Sequence, residues 1–261
     1  MSKLVKQLEK LARGMDQPPM GFGFHAAQAK TPALLTLCLL DKENPKAAAA
    51  AASAGADFIA VPISPDNLKD ASTILKAEHA TCGAFCQNLS AEHLPALKKA
   101  GCDFVVFEPQ QAPMAALRDE DDEGIGKVLV LDGLMEDSLA ATAEQLNVDA
   151  VLLDIGDPPL TVQRIMVFQR TAGLTSKPVL AVVPVTLSSA EVEVLRDMGV
   201  QGLVVRVKDV KSAEAIANLR KTADGLAPPK KKRLKATAIL PKITVRAAAE
   251  DDEEEEEEGD E

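Results

Sequence analysis

A short segment occurs in four copies along this chain, and this repeat constrains the fold more than any other feature of the sequence. Each copy has a turn-forming residue, an apolar residue, a polar residue and then an apolar run of strand length, at residues 54–62, 100–108, 146–154 and 198–206. A helix that ends at a residue able to adopt a positive φ and is followed by a buried strand has this pattern. The repeat therefore predicts helices that lead into parallel strands.

The amino-acid composition fits a buried parallel sheet. Hydrophobic residues make up 46% of the 261 residues, and the aromatic residues are 7 Phe with no Trp or Tyr. Val, Leu, Ile and Ala must therefore fill the core, as they do in parallel sheets that are covered on both faces. A chain of this length forms one large α/β domain or two small ones.

From residue 32 onward, apolar runs of strand length alternate with segments of helical pattern. We predict strands at residues 34–40, 58–63, 81–86, 104–107, 128–131, 150–153, 179–183 and 203–207. We predict helices at residues 45–54, 65–77, 90–100, 135–146, 161–172, 188–198 and 212–223, with a short helix near 112–117. Eight such units, joined by right-handed crossovers, close most simply into a (β/α)₈ barrel. An open, doubly wound sheet is the alternative.

Over residues 32–223 this pattern resembles the TIM-barrel superfamily, without matching the motif set of any one family. The resemblance therefore implies an α/β fold, the (β/α)₈ TIM barrel, and carries no reaction with it. In barrels of this superfamily the active site lies at the C-terminal ends of the strands.

Two segments flank the predicted barrel, which spans residues 32–226. Residues 1–31 combine an amphipathic helix at 2–13, with its apolar side chains on one face, and an irregular lead-in rich in Gly and Pro. We expect the helix to cover the open bottom of the barrel; a role at a membrane surface is the alternative. Residues 227–261 form a basic and then acidic low-complexity tail, with disorder expected from about residue 247 onward.

The net charge of −11 originates in the tail, because residues 250–261 contain eleven Asp and Glu and no cation. The rest of the chain is neutral, which argues against nucleic acid as a partner. The charged tail is instead a candidate contact for a partner protein, and the sequence leaves a homo-oligomer open. No apolar run approaches the ~18 to 20 residues of a membrane span, and no signal peptide precedes the helix. We therefore expect a soluble, cytoplasmic protein, and the four cysteines fit this as buried free thiols.

Polar residues follow the predicted strands at the end of the barrel where active sites lie. Side chains alternate along a strand, and the opposite face would direct a carboxylate into the apolar helix layer at a cost of several kcal/mol. The candidate catalytic residues, predicted to point into the mouth, are Glu108, Asp154, Asp132 and Asp41. The candidate substrate-binding residues are Gln87, Arg206, Lys208 and His25.

Converging carboxylates support two chemistries. They can bind a divalent cation through oxygen ligands, or they can divide acid and base roles between them. A structural interpretation also stands, because strand-end carboxylates accept hydrogen bonds from helix N-termini and Arg206 can neutralise them. The sequence indicates no cofactor beyond the divalent cation.

Two absences narrow the choice of reaction. The loops after the seventh and eighth strands lack the Gly-rich turn that binds phosphate, and no Lys ends strands five to seven as a Schiff-base aldolase requires. The leading hypothesis is a lyase- or isomerase-type enzyme that acts on a small-molecule ligand with its strand-end carboxylates. The alternative is a non-catalytic, degenerate barrel that serves as a binding or assembly protein.

Overall fold

The structure is a computed structural model, and it describes residues 2–16, 33–64, 74–75, 80–90, 92–118, 124–133, 135–154 and 159–226. The tail at 227–261, the lead-in with His25 and the acidic loop at 119–123 lie outside the described residues. So does most of the helix predicted at 65–77, of which Ile74 and Leu75 are described and are helical.

Eight parallel strands form a closed barrel, as the sequence predicted. Each strand pairs with the next along the chain, and β1 also pairs with β8. The strands are β1 (Leu35–Leu40), β2 (Phe58–Ile63), β3 (Thr81–Cys86), β4 (Phe104–Phe107), β5 (Gly126–Asp132), β6 (Ala150–Asp154), β7 (Val179–Val182) and β8 (Val200–Val207). The glycines that precede β2, β4 and β8 in the repeat have φ of 91°, 96° and 95°, as the turn requires.

Among the described residues, the first helix covers the bottom of the barrel and the other helices lie around its outside. The helices are α1 (Lys3–Asp16), α2 (Pro45–Ser53), α3 (His93–Lys99), α4 (Asp137–Thr142), α5 (Val162–Ala172), α6 (Ser189–Asp197), α7 (Val210–Glu214) and α8 (Ile216–Asp224). The helix predicted at residues 212–223 is two helices that meet at Ala215.

The helix predicted near residues 112–117 is not an α-helix. The chain there forms two 3₁₀ turns, Pro109–Gln111 and Met114–Leu117, separated by extended residues. Pro113 is the physical reason, because the residue before a proline is driven out of the helical region. Ala112 accordingly has φ −115° and ψ 115°.

Inside the barrel, large side chains fit because their neighbours are glycines. The rings of Phe58 and Phe104 are both fully buried and meet edge to face, with their centroids 5.9 Å apart. A Cβ at Gly83 would lie 2.5 Å from the Phe104 ring, and a Cβ at Gly202 would lie 2.6 Å from Leu180. These two positions therefore exclude any larger residue without repacking.

Helix α1 closes the bottom of the barrel, as predicted. Leu4, Leu8 and Leu11 are buried in the cluster of side chains that fills the interior, and each contributes about 1.5–3 kcal/mol of apolar burial. Asp103, just before β4, holds the start of the helix by accepting hydrogen bonds from Ser2 Oγ at 2.7 Å and from two backbone N–H groups at 2.8 and 3.0 Å. Among the described residues, no helix has the length and apolarity that crossing a membrane requires.

Candidate functional site

Two aspartates end neighbouring strands side by side at the top of the barrel. Asp132 of β5 and Asp154 of β6 are register partners. The two pairs below them, Val128 with Ala150 and Val130 with Leu152, belong to or pack against the interior cluster. Side chains alternate along strands, so Asp132 and Asp154 also face inward, on backbones separated by ~4.8 Å.

Arg206 of β8 forms an ion pair with Asp154 of β6, over the intervening strand β7. The Asp154 side chain is 19% exposed and that of Arg206 is 44% exposed, so water reaches the pair. The guanidinium donates from Nη2 to Asp154 Oδ2. Arg206 shares the inward face with Val204, which is buried in the interior cluster. The pair therefore fixes the position of the Asp154 carboxylate at the rim.

The other predicted residues that can be located also lie at this end of the barrel. Asp41 and Gln87 are exposed directly after β1 and β3, and Glu108 is half-buried after β4 with an extended backbone. By alternation they continue the inward faces of Leu39, Phe85 and Val106. Lys208 is exposed, and its backbone N–H donates to Ser212 Oγ at 3.2 Å. His25 lies outside the described residues.

The helix N-termini that follow β7 and β8 are capped by their own side chains. Ser188 and Glu191 form a capping box at α6, and Asp209 and Ser212 form one at α7. Hydrogen bonds from the Ser188 side chain and backbone lower the pKa of Glu191, and those from the backbone and side chain of Ser212 lower the pKa of Asp209. Carboxylates of the chain itself therefore occupy positions where an anionic ligand would bind.

The four buried cysteines do not offer a reactive thiolate. Cys38, Cys82, Cys86 and Cys102 are free and buried, as predicted. Burial raises the pKa of Cys82 to about 11 and those of the other three to about 12, so the thiolate form is suppressed.

No group of three or more His, Cys, Asp or Glu is placed to hold a metal ion in the part of the chain that the structure describes.

The repeat itself marks residues whose role lies at the opposite end of the barrel. Asp57 accepts a hydrogen bond from the Thr36 backbone N–H at 2.8 Å, and Asp149 accepts one from the Lys127 backbone N–H at 2.7 Å. Asp103 occupies the same position in its copy and holds helix α1 instead. No role was predicted for these aspartates from sequence, although they occupy the same position before three strands of the repeat.

A cleft of about 660 Å³ also opens at the bottom, away from the predicted site. Lys3, Lys98, Asp57 and Asp103 are among its lining residues. Both aspartates are engaged by donors of the chain itself, so the cleft brings together no set of groups suited to acid and base catalysis. We place the candidate site at the mouth because proton transfer requires accessible carboxylates on a shared face.

Comparisons with known proteins show the fold. No protein-family model matches this chain, and no curated protein matches it. Among solved structures, it is similar to N-(5'-phosphoribosyl)anthranilate isomerase from Pyrococcus furiosus, with a TM-score of 0.51 and 17% identity over 72% of this chain and 98% of that chain. It is also similar to a chain of the tryptophan synthase a2b2 complex from Pyrococcus furiosus, a hyperthermophile, with a TM-score of 0.54 and 17% identity over 74% and 96%. It is also similar to a structure described as native KDPGal, with a TM-score of 0.55 and 19% identity over 74% of this chain and 97% of that chain. At these identities the likeness establishes the TIM barrel and nothing about the reaction.

Proposed function

We propose that this protein is a small-molecule enzyme of the lyase or isomerase type, which transfers protons with carboxylates at the mouth of the barrel. The observation that carries the proposal is the pairing of Asp132 with Asp154 on the inward face of neighbouring strands, with Arg206 bound to Asp154. One of the similar structures is named as an isomerase, so a barrel of this fold supports isomerase chemistry in that protein.

The arrangement supplies the two groups that proton transfer at neighbouring atoms needs. One carboxylate removes a proton from a C–H or O–H of the substrate, and a second group returns a proton to an adjacent atom or to a leaving group. Arg206 holds the Asp154 carboxylate in one place, while Asp132 lies beside it and Glu108 lies one strand further round the barrel. Such positioned groups typically contribute about 10²–10⁴-fold to the rate.

The proposed substrate carries no phosphate group. The loops after β7 and β8 lack a Gly-rich turn, and the helices that follow them are capped by Glu191 and Asp209. A phosphate at either position would have to displace a carboxylate that is already hydrogen-bonded. We propose no step through a metal ion, because no group of three or more His, Cys, Asp or Glu in the described ranges is placed to hold one.

A hydrogen–deuterium exchange assay tests the proposal. Pools of unphosphorylated hydroxy, keto and amino compounds are incubated with the full chain in D₂O, and loss of C–H signals is followed by NMR. We expect exchange in at least one compound. Asp132→Asn and Asp154→Asn should each reduce it by about 100-fold or more, whereas Asp224→Asn, on the outer helix α8, should leave it unchanged. Absence of exchange in every pool, or equal activity of the three variants, would overturn the proposal.

A non-catalytic barrel remains the second candidate, and the ion pair favours it. Arg206 neutralises Asp154 from within the chain itself, as a purely structural carboxylate would require. On this interpretation the same pools produce shifts in melting temperature without exchange. The two outcomes therefore separate a binding protein from an enzyme.

A further inference from the structure

The helix that closes the barrel has a second face, on the side opposite its buried leucines. Lys3, Lys6 and Lys10 lie on this face, and all three residues are exposed. Their spacing of three and four residues places them in one row about 10 Å long, because an α-helix rises ~1.5 Å per residue. We call Lys3, Lys6 and Lys10 the basic stripe. It points into solvent because Leu4, Leu8 and Leu11 hold the other face against the barrel interior.

The carboxylates nearest the start of the stripe serve the fold. Asp103 accepts hydrogen bonds from Ser2 Oγ and from the Lys3 and Leu4 N–H groups. Asp57 accepts one from Thr36 N–H and forms an ion pair with Arg220. Glu9 lies half-buried on the flank of the same helix and reduces the local positive charge by one. The outward surface of the helix is therefore dominated by ammonium groups.

The cleft at the bottom of the barrel extends this surface beyond the helix. Lys3 lies on its wall together with Lys98, which is exposed in the last turn of α3. Lys99 follows and is also exposed. A chain that lies along the stripe would continue from Lys3 into a cleft of about 660 Å³ with a further cation on its rim.

We propose that the basic stripe is a docking surface for an acidic polypeptide segment of a partner. The proposal rests on charge complementarity between carboxylates along an extended peptide and ammonium groups along the helix. An extended chain rises ~3.3 Å per residue, so carboxylates at every second or third residue match ammonium groups spread over about 10 Å. Each contact is exposed and therefore weak, and the affinity comes from several contacts together with faster association.

Two other polyanions fit this surface less well. Anionic membranes hold amphipathic helices by inserting their apolar face, and here that face is buried inside the barrel. Single-stranded nucleic acid is held by aromatic side chains on which bases stack, and the sequence of helix α1 (Lys3–Asp16) contains none. The acidic polypeptide needs only the charges that the structure shows.

The test measures binding of a fluorescein-labelled oligoglutamate peptide to the full chain by fluorescence anisotropy. The stripe variant carries Lys3→Gln, Lys6→Gln and Lys10→Gln. The control carries Lys42→Gln, Lys46→Gln and Lys211→Gln, which remove the same charge from exposed residues at the opposite end of the barrel. At about 20 mM salt we expect the stripe variant to lose about tenfold or more in affinity and the control to stay within about twofold of wild type.

Three further measurements make the result decisive. Binding by wild type should fall steeply at about 200 mM salt, since exposed ion pairs are screened. Circular dichroism melts show that both triple variants are folded. A full chain with Glu253 to Glu258 all changed to Gln is titrated in parallel, so that its own acidic run cannot compete with the peptide. Equal affinities of the stripe and control variants, or no binding by wild type and by this chain, would overturn the proposal, as would stripe-dependent binding of an oligonucleotide or an anionic vesicle without binding of the peptide.

Discussion

The two ends of this barrel use aspartate in opposite ways. At the bottom, Asp57, Asp103 and Asp149 precede three strands and accept hydrogen bonds from backbone N–H groups. At the mouth, Asp132 and Asp154 end two strands side by side, and the ion pair of Asp154 is open to water. A carboxylate that satisfies backbone donors stabilises the fold, whereas two like charges on one face oppose it. The aspartates at the bottom therefore stabilise the fold, and those at the mouth are the ones for which we propose a role in chemistry.

The largest effect on stability should come from removing the aspartate that anchors helix α1 at the bottom of the barrel. Asp103→Ala removes three hydrogen bonds, two of them to the N–H groups that begin helix α1, and it leaves the helix without its anchor. We expect a loss of about 3 kcal/mol or more in the free energy of unfolding, because bonds to a charged acceptor contribute ~1.5–3 kcal/mol each. Urea denaturation measures it.

The matched control for this prediction lies at the other end of the barrel. Asp41 follows β1 and is exposed, so Asp41→Ala should change the free energy of unfolding by less than about 0.5 kcal/mol. Similar losses for Asp103→Ala and Asp41→Ala would show that the two ends do not differ as the structure indicates.

A second effect on stability concerns the packing of side chains inside the barrel, between its two ends. Gly83→Ala places a methyl group 2.5 Å from the Phe104 ring, and this overpacking should cost about 1–3 kcal/mol. Gly124→Ala is the control, since a Cβ there meets no atom within 4 Å. Thermal melts should show that Phe104→Leu, which shortens the opposing side chain, makes Gly83→Ala less costly than it is alone. Equal costs in both backgrounds would place the clash elsewhere.

A third effect depends on pH and belongs to the bottom half. Hydrogen bonds from the Ser176 side chain and backbone and from Thr175 lower the pKa of Glu144 from 4.5 to about 2. The folded form therefore binds this proton less readily than the unfolded chain, so the stabilisation is present above pH 4.5 and is lost as the pH falls towards 2. Glu144→Gln should lower the melting temperature modestly at pH 7 and flatten its dependence on pH in that window. Parallel pH curves for wild type and variant would contradict the assignment.

The strands were predictable from sequence because the repeat aligns them. Six of the predicted strands begin and end within one residue of β1, β2, β3, β4, β6 and β7, and the turn glycines have the expected φ. The 3₁₀ turns were missed because Pro113 overrides the helix propensity of its Ala-rich surroundings. The anchor at Asp103 was missed because Ser2 lies 101 residues away in sequence, and no local pattern records such a contact.

The position of the candidate residues at the strand ends was predictable from sequence, and neutralisation by Arg206 was one of the two interpretations, but Asp154 was not identified as its partner. Period-two alternation put Asp132 and Asp154 on the inward face, and the register of β5 with β6 agrees with this. The ion pair of Arg206 with Asp154 joins strands that are not neighbours, so its formation depends on barrel closure and on the length of the arginine side chain. Whether these residues act on a substrate is a question for the exchange assay.

The smallest effect on stability is the one that bears most on function. Asp154→Asn loses the pair with Arg206 but also relieves repulsion from Asp132, so we expect the free energy of unfolding to change by less than about 0.5 kcal/mol. A double-mutant cycle with Arg206→Gln should give a coupling energy below about 1 kcal/mol, because the arginine is 44% exposed. The pair of Arg220 with Asp57 at the bottom, where both side chains are 21% exposed, should give a larger value in the same cycle. If Asp154→Asn costs more than about 1.5 kcal/mol, the carboxylate serves the fold as the bottom aspartates do, and the proposed enzyme loses its main support.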